Sequence, residues 1–136
     1  MTLRSNVLLA ATALGAVLLG APPLIADSQP ATQPGNNCFL TTNWQGWKSP
    51  SPTVIYLRIG LNEVYRIDLA AASYQLQQPE MHLVSRVRGS PWICGPLDLD
   101  LSLSDDHGIY REPLFVKSLT KLTPDEVKAI PPKFVP

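Results

Sequence analysis

Apolar and polar residues alternate with a period of two along much of the chain, as in strands that bury one face. Two such runs, residues 53–59 and 63–69, are rich in β-branched and aromatic side chains and are separated by Gly60, Leu61 and Asn62. A connection this short, with a glycine that accepts unusual backbone angles, predicts a β-hairpin.

Four more segments continue the β pattern. Residues 81–87 alternate, and after a turn residues 92–94 return, which predicts a second hairpin. Residues 97–104 alternate leucine strictly with aspartate or serine, so we expect a strand whose polar face meets solvent. Residues 105–108 are typical of a turn, and residues 114–119 predict one closing strand.

The period changes near the C-terminus, where the sequence predicts one helix. Thr123 is a good N-cap, Pro124 suits the first helical position, Glu126 can complete a capping box, and Pro131 ends the segment. Closely spaced strands and a short helix predict an α+β, mostly β fold. We expect a small antiparallel sheet or partly open barrel of about six to seven short strands with one C-terminal helix.

The first 26 residues have the features of a signal peptide. Arg4 precedes an uncharged apolar run of 13 residues, 7–19, which is too short to span a bilayer, and Ala26 offers a small residue for cleavage. An uncleaved anchor is the alternative. Cleavage predicts a periplasmic or secreted protein with no transmembrane anchor after processing.

The rest of the chain predicts one folded domain between a leader and a tail. Residues 27–37 hold no aliphatic side chain larger than alanine and predict a flexible leader, whereas the proline-rich residues 131–136 predict a tail. Residues 38–130 are therefore the predicted folded domain.

Charge and composition exclude some classes of protein. The 136 residues carry 11 basic and 11 acidic side chains, so no basic stripe is available for nucleic acid. With 45% hydrophobic and 16% charged residues, the chain is too apolar to be intrinsically disordered.

The chain has two cysteines, Cys38 and Cys94, which allow one intramolecular pairing. Export would place them where thiols oxidise, and neither belongs to the CxxC motif of a metal or redox pair. We expect a structural disulfide that closes a loop of 57 residues, counted from one cysteine to the other inclusive.

The polar residues offer weak candidates for catalysis. His107 follows Asp105 and Asp106, and His82 lies within a predicted strand. The alternative function is therefore a small hydrolase or metal-dependent enzyme that uses His82 or His107 with Asp105 and Asp106. A solvated turn explains the aspartates better, because Asp and Gly favour turns for backbone reasons and a metal site needs more ligands at fixed spacing. The sequence itself predicts no catalytic residue, metal site or cofactor.

Two tryptophans are the best binding candidates. If exposed, Trp44 and Trp47 form a platform for sugar rings or a peptide, whereas in the alternative they cover the sheet near Cys38. Residues 48–52, which follow them and contain two prolines, predict a stiff extended connector.

The order of these landmarks resembles a domain-of-unknown-function family of small exported bacterial proteins. The resemblance covers residues 38–126 and rests on the early cysteine, the segments VYRIDL and SLTKLTPDE, and the Trp-Ile-Cys-Gly segment at 92–95. Family members commonly carry four cysteines. Cys38 and Cys94 match the first and third, whereas Ser73 and Leu114 occupy the other two positions, so the resemblance also implies the Cys38–Cys94 pair. It implies no activity.

Two classes of function remain. The sequence favours a non-enzymatic periplasmic or secreted binding or envelope-accessory protein that recognises an unknown protein or envelope ligand. The alternative enzyme requires the two imidazoles and an acidic residue to converge in one pocket.

Overall fold

A computed structural model describes residues 37–136, and every structural statement below concerns this part of the chain. The predicted signal peptide, and the predicted leader up to residue 36, lie outside it. The described residues form an α+β, mostly β fold of antiparallel sheets, as predicted, and the sheets do not close into a barrel. The elements are β1 Phe39–Leu40, β2 Trp44–Ser51, β3 Val54–Ile59, β4 Glu63–Leu69, β5 Met81–Arg86, β6 Trp92–Ile93, β7 Asp100–Asp105, β8 Arg111–Leu114, β9 Val116–Lys121 and α1 Pro124–Lys128, with 3-10 turns at Thr41–Asn43, Tyr74–Gln77, Pro96–Asp98 and Pro132–Phe134.

The largest sheet has four strands in the order β2-β3-β4-β9. The predicted hairpin is confirmed as β3 and β4, with Ile59 opposite Glu63. Gly60 begins the turn at a φ of 57°, in the left-handed region that a side chain disfavours. Alternation then places Tyr65, Ile67 and Leu69 on the buried face.

The predicted second hairpin is wrong. β5 pairs with β7, in a three-stranded sheet ordered β5-β7-β8, whereas β6 pairs with β1 in a separate two-stranded sheet. All six residues of β5 pair with residues of β7, whereas β6 has only two residues to offer. Ile93 instead lies opposite Phe39, and both side chains join the core.

The expected strand at residues 97–104 is shorter than predicted, and its polar face is not solvated. Pro96–Asp98 is a 3-10 turn that leaves Leu97 98% exposed, so the strand begins at Asp100. Ser102 and Ser104 are buried because β7 is the central strand and longer side chains of β5 and β8 stand on either side of them.

The expected closing strand is two strands in two sheets. Leu114 ends β8 opposite Leu101 of the three-stranded sheet, and Val116 begins β9 opposite Leu69 of the four-stranded sheet. Phe115 lies between them, and its carbonyl accepts a hydrogen bond from the Ala70 amide at 2.8 Å. The chain thus crosses from one sheet to the other within one residue, which holds the β8 and β9 edges together.

The two larger sheets share one hydrophobic core. Its fully buried members come from facing strands of both sheets and from β6: Ile55, Leu57, Tyr65, Ile67, Ile93, Leu101 and Leu103. The edge strands β8 and β9 lie on one side of the core, where Phe115 connects them. The opposite edge strands of the two sheets, β5 and β2, border the other side of the core. The 3-10 turn Tyr74–Gln77 contacts both β2 and β5, and its Leu76 is buried.

The predicted connector at residues 48–52 is also wrong for most of its length, because β2 continues to Ser51. Pro50 is compatible with a strand here because β2 is the edge of its sheet and a proline removes a donor that an edge does not need. The register shifts between Lys48 and Ser51, where the strand turns toward β3.

The predicted helix is confirmed. The Glu126 amide donates to the Thr123 hydroxyl at 3.3 Å, and the Glu126 carboxylate accepts from the Thr123 amide at 2.7 Å, which completes the capping box. The carboxylate also accepts from the Thr123 hydroxyl at 2.9 Å, and the two bonds that it accepts from Thr123 lower the pKa of Glu126. No helix among residues 37–136 is long and apolar enough to cross a membrane.

Candidate functional site

A β-bulge aligns the two candidate tryptophans. The register of β2 shifts between Trp44 and Gly46, so Trp44 lies opposite Ile59 and Trp47 lies opposite Leu57 although three positions separate them. Ile59 and Leu57 are buried, which places both indoles on the core side of the sheet edge. Both pack against the core and both remain partly exposed.

Trp47 lines a cleft of about 500 Å³, and Trp44 does not belong to its walls. The cleft opens where β2 and β5 border the core, between the Tyr74–Gln77 turn and the C-terminal Pro132–Phe134 turn. Its apolar walls are Trp47, Leu76, Pro79, Met81 and Phe134. We call it the Trp47 cleft. Its volume falls in the range typical of small-molecule sites.

Polar groups surround this apolar floor. The amide side chains of Gln77 and Gln78 line one side, while Lys48 and Lys133 bring two positive charges. The Lys133 ammonium lies 4.7 Å from the centre of the Phe134 ring. Among the described residues that line the cleft, none is acidic. The site therefore combines an aromatic surface, hydrogen-bonding amides and an environment that favours negative charge.

Sequence reasoning identified Trp47 but missed Phe134 and Met81. Phe134 belongs to the predicted tail, where a 3-10 turn brings it beside β2. The sequence did contain a signal for this contact, because Phe134 is a large aromatic residue in a proline-rich end that has few other side chains to bury. Met81 begins β5. The period-two alternation of that strand indicated that the Met81 side chain is buried, but it did not indicate which residues the side chain faces.

The disulfide between Cys38 and Cys94 is confirmed, with the two α-carbons 4.2 Å apart. It joins the residue before β1 to the residue after β6, where Phe39 and Ile93 are paired. The ring of Phe39 packs on Tyr65, with centroids 4.7 Å apart. The bridge thus fastens the start of the described chain to the core, six residues before Trp44.

The structure brings together two of the four enzyme candidates. Nε2 of His82 contacts Oδ1 of Asp106, and both side chains are more than half exposed. Asp105 instead accepts a hydrogen bond from the Tyr110 amide at 3.0 Å, within the predicted turn. His107 is exposed and bonds to no residue in the described part of the chain. Residues 37–136 contain no group of three His, Cys, Asp or Glu side chains placed to hold a metal.

Two buried hydroxyls in the described part of the chain, those of Tyr65 and Ser85, are left without a partner. Tyr65 is 1% exposed, and its hydroxyl forms no hydrogen bond with any described residue. Burial raises the pKa of Tyr65, and Glu63 adds to this effect, whereas the nearby Lys121 ammonium opposes it. The hydroxyl is a cost to stability and lies outside the walls of the Trp47 cleft.

Comparisons with known protein families, with curated proteins and with solved structures found no match for this chain. The family resemblance therefore remains a prediction. Ser73 and Leu114, which that resemblance predicts to stand at the positions of the other two cysteines, are both buried. The Ser73 hydroxyl donates to Glu112, two residues before Leu114, at 3.0 Å.

Proposed function

We propose that this chain is an exported, non-enzymatic binding domain whose ligand occupies the Trp47 cleft. The observation that carries the proposal is the convergence of Trp47 and Phe134 with two lysines and two glutamines around about 500 Å³ of open space. Small-ligand sites are concave and place polar groups beside apolar walls. Five of the ten residues that line this cleft are polar, which suits a ligand with polar groups of its own.

The lining favours a sugar ring that carries a carboxylate. An indole face packs against the C–H face of a pyranose, glutamine amides bond hydroxyl or acetamido groups, and lysines attract the acid. A glycan of the bacterial envelope that contains N-acetylmuramic acid has all three features. This ligand is the specific form of the envelope ligand expected from the sequence.

A peptide added to a sheet edge fits less well. Strand addition uses a straight run of free backbone groups. β2 is the edge nearest the cleft, but it is bulged after Trp44, contains Pro50, and is contacted by both 3-10 turns that flank the cleft. Bulges and prolines are features that block edge pairing. Recognition by side chains is therefore favoured.

Export is supported by the apolar run at residues 7–19 and by the Cys38–Cys94 bridge, because disulfides persist mainly in oxidising compartments. We expect intact-mass measurement of the exported protein to give a chain that begins at or near Asp27. Recovery of a chain that retains Met1 would contradict this part of the proposal.

Binding is tested by calorimetric titration of the exported protein with a soluble N-acetylglucosamine–N-acetylmuramic acid tetrasaccharide. We expect Trp47→Ala to abolish binding and Trp44→Ala, the matched control, to retain it, with circular dichroism showing that both variants fold. An N-acetylglucosamine tetrasaccharide, which lacks the carboxylates, should bind at least about tenfold more weakly. Equal loss of affinity in the two tryptophan variants, or no binding to the unmodified domain, would contradict the proposed site.

The enzyme alternative has one supporting contact, between His82 and Asp106. The predicted enzyme site needs both imidazoles and an acid in one pocket, and His107 does not take part in this contact. A general base also needs a substrate position within hydrogen-bond reach. The Trp47 cleft has no histidine or carboxylate among its described walls, so binding is the function we propose for it.

A further inference from the structure

A second open site lies on the outer face of the three-stranded sheet, away from the Trp47 cleft. Its volume is about 340 Å³, and none of its lining residues belongs to the cleft. Three arginines and one aspartate surround a floor made by the central strand β7. The lining residues are Arg86, Arg88, Asp100, Leu101, Ser102, Arg111 and Pro113. We call this site the arginine groove.

Strand register explains why the arginines converge. Arg86 on β5 lies opposite Asp100, whereas Arg111 on β8 lies opposite Ser104. Ser102 lies between these two positions on β7, so the arginines reach toward it from the two outer strands and from opposite ends. Residues directly opposite Ser102 are uncharged, since they are Val84 and Pro113.

The charges of the groove are only partly compensated. Arg88 donates to Asp100, with 2.7 Å between Nε and Oδ2, which neutralises one arginine. Arg86 and Arg111 are exposed, and the guanidinium group of each forms no hydrogen bond or ion pair with any residue in the described range. The groove therefore carries two uncompensated positive charges, although the whole chain has a net charge of zero.

The floor supplies a free donor. Ser102 is 8% exposed and lines the groove, yet its hydroxyl bonds to no atom of residues 37–136. The buried hydroxyls without a partner in the described part of the chain are those of Tyr65 and Ser85, so the Ser102 hydroxyl is open to the groove rather than enclosed. The hydroxyl of Ser104, in contrast, is already used, because it donates to the Asp105 carbonyl at 3.3 Å. The unused hydroxyl lies beneath the two uncompensated arginines.

We propose that the arginine groove binds an oxyanion: a phosphate, sulfate or carboxylate group. Each guanidinium presents a planar fork of N–H donors that matches two oxygens of such a group. Arg86 and Arg111 hold the anion from two sides, and the Ser102 hydroxyl donates from below. Asp100 keeps Arg88 at the rim by their ion pair.

The test measures thermal unfolding of the folded domain in sodium phosphate, sulfate, malonate or chloride at matched ionic strength. At about ten times the dissociation constant, the bound oxyanion should raise the midpoint by about 6–11 °C relative to chloride. A shift with phosphate or sulfate alone assigns the site to a tetrahedral anion, and a shift with malonate assigns it to a carboxylate.

Variants separate the site from general salt effects, because sulfate and phosphate also stabilise proteins by exclusion from their surface. Arg86→Gln/Arg111→Gln should abolish the shift, and Ser102→Ala should reduce the affinity several-fold. The matched control Lys117→Gln/Lys128→Gln removes two exposed positive charges that belong to neither the arginine groove nor the Trp47 cleft and should leave the shift unchanged. A shift that persists in the arginine variant, disappears in the lysine variant, or is absent from the unmodified protein would overturn the proposal.

Discussion

Removal of the disulfide, by the variant Cys38→Ala/Cys94→Ala, tests how much of the stability depends on the bridge. Cross-linking the ends of a 57-residue loop lowers the conformational entropy of the unfolded chain. This loss of entropy raises the free energy of unfolding by about 4 kcal/mol. We therefore expect the free energy of unfolding to fall by about 2–5 kcal/mol. For a domain of this size that is a large fraction of the total.

The structure also predicts where the loosening begins. β1 and β6 pair through only two residues each, and the Thr41 amide adds one hydrogen bond to the Pro91 carbonyl at 3.1 Å. Without the bridge, burial of Phe39 is the main remaining attachment. Hydrogen exchange should therefore accelerate most at Leu40 and Thr41, and much less at Ile67 in the centre of the four-stranded sheet.

Urea denaturation measures the loss, and exchange mass spectrometry measures its position. The reduced but unmodified protein is the matched control, because it lacks the bridge and keeps both cysteines. An unchanged urea midpoint would refute the entropy argument. Equal acceleration across both sheets would refute the claim that the bridge fastens mainly the N-terminal segment.

Three shorter predictions test other parts of the fold. Thr123→Ala should lower the unfolding free energy by about 1 kcal/mol through loss of the cap, and an unchanged denaturation midpoint would contradict it. Tyr65→Phe should raise the unfolding free energy by about 1 kcal/mol, because it removes a buried hydroxyl without a described partner; a destabilised variant would show that the hydroxyl is bonded. Burial opposes ionisation of Asp68, but bonds from Arg66 and Ser118 outweigh it and lower its pKa. Stability from Asp68 should therefore be present above about pH 4 and be lost as the pH falls through the lowered pKa, so Asp68→Asn should flatten the acid limb of a pH–stability curve; an equally steep limb would contradict this.

The parts of the fold that were predictable from sequence depend on local signals. The β3–β4 hairpin follows from a short turn with Gly60, and α1 follows from the Thr123 capping box. The disulfide follows from having only two cysteines. Each of these features is decided by a few neighbouring residues or by a count.

The features that escaped prediction depend on distant segments. Pairing of β5 with β7 competes with pairing to the nearer β6, and period-two alternation does not identify the partner. The sheet change at Phe115 interrupts a run that looks continuous in sequence, because residues on its two sides pair with different strands. β1 and β2 also lacked a clear alternation. With these two strands, and with the run that divides at Phe115 counted as two strands, the described residues form nine strands, whereas about six to seven were expected.

The candidate site was half predictable for the same reason. Aromatic composition pointed to Trp47, but the bulge that turns it to the core side and the turn that brings Phe134 beside it are tertiary features. The arginine groove left a weaker signal: arginines at positions 86 and 111 appear unremarkable until β7 places Ser102 between their strands.

The central claim is that the Trp47 cleft binds a carboxylate-bearing glycan. The most direct measurement follows the three indole N–H resonances of the ¹⁵N-labelled protein by NMR during titration with the N-acetylmuramic acid-containing tetrasaccharide. We expect a saturable shift of the Trp47 indole, with the Trp44 and Trp92 indoles nearly unchanged. A Trp47 resonance that stays in place at saturating glycan, or equal shifts of all three indoles, would contradict it.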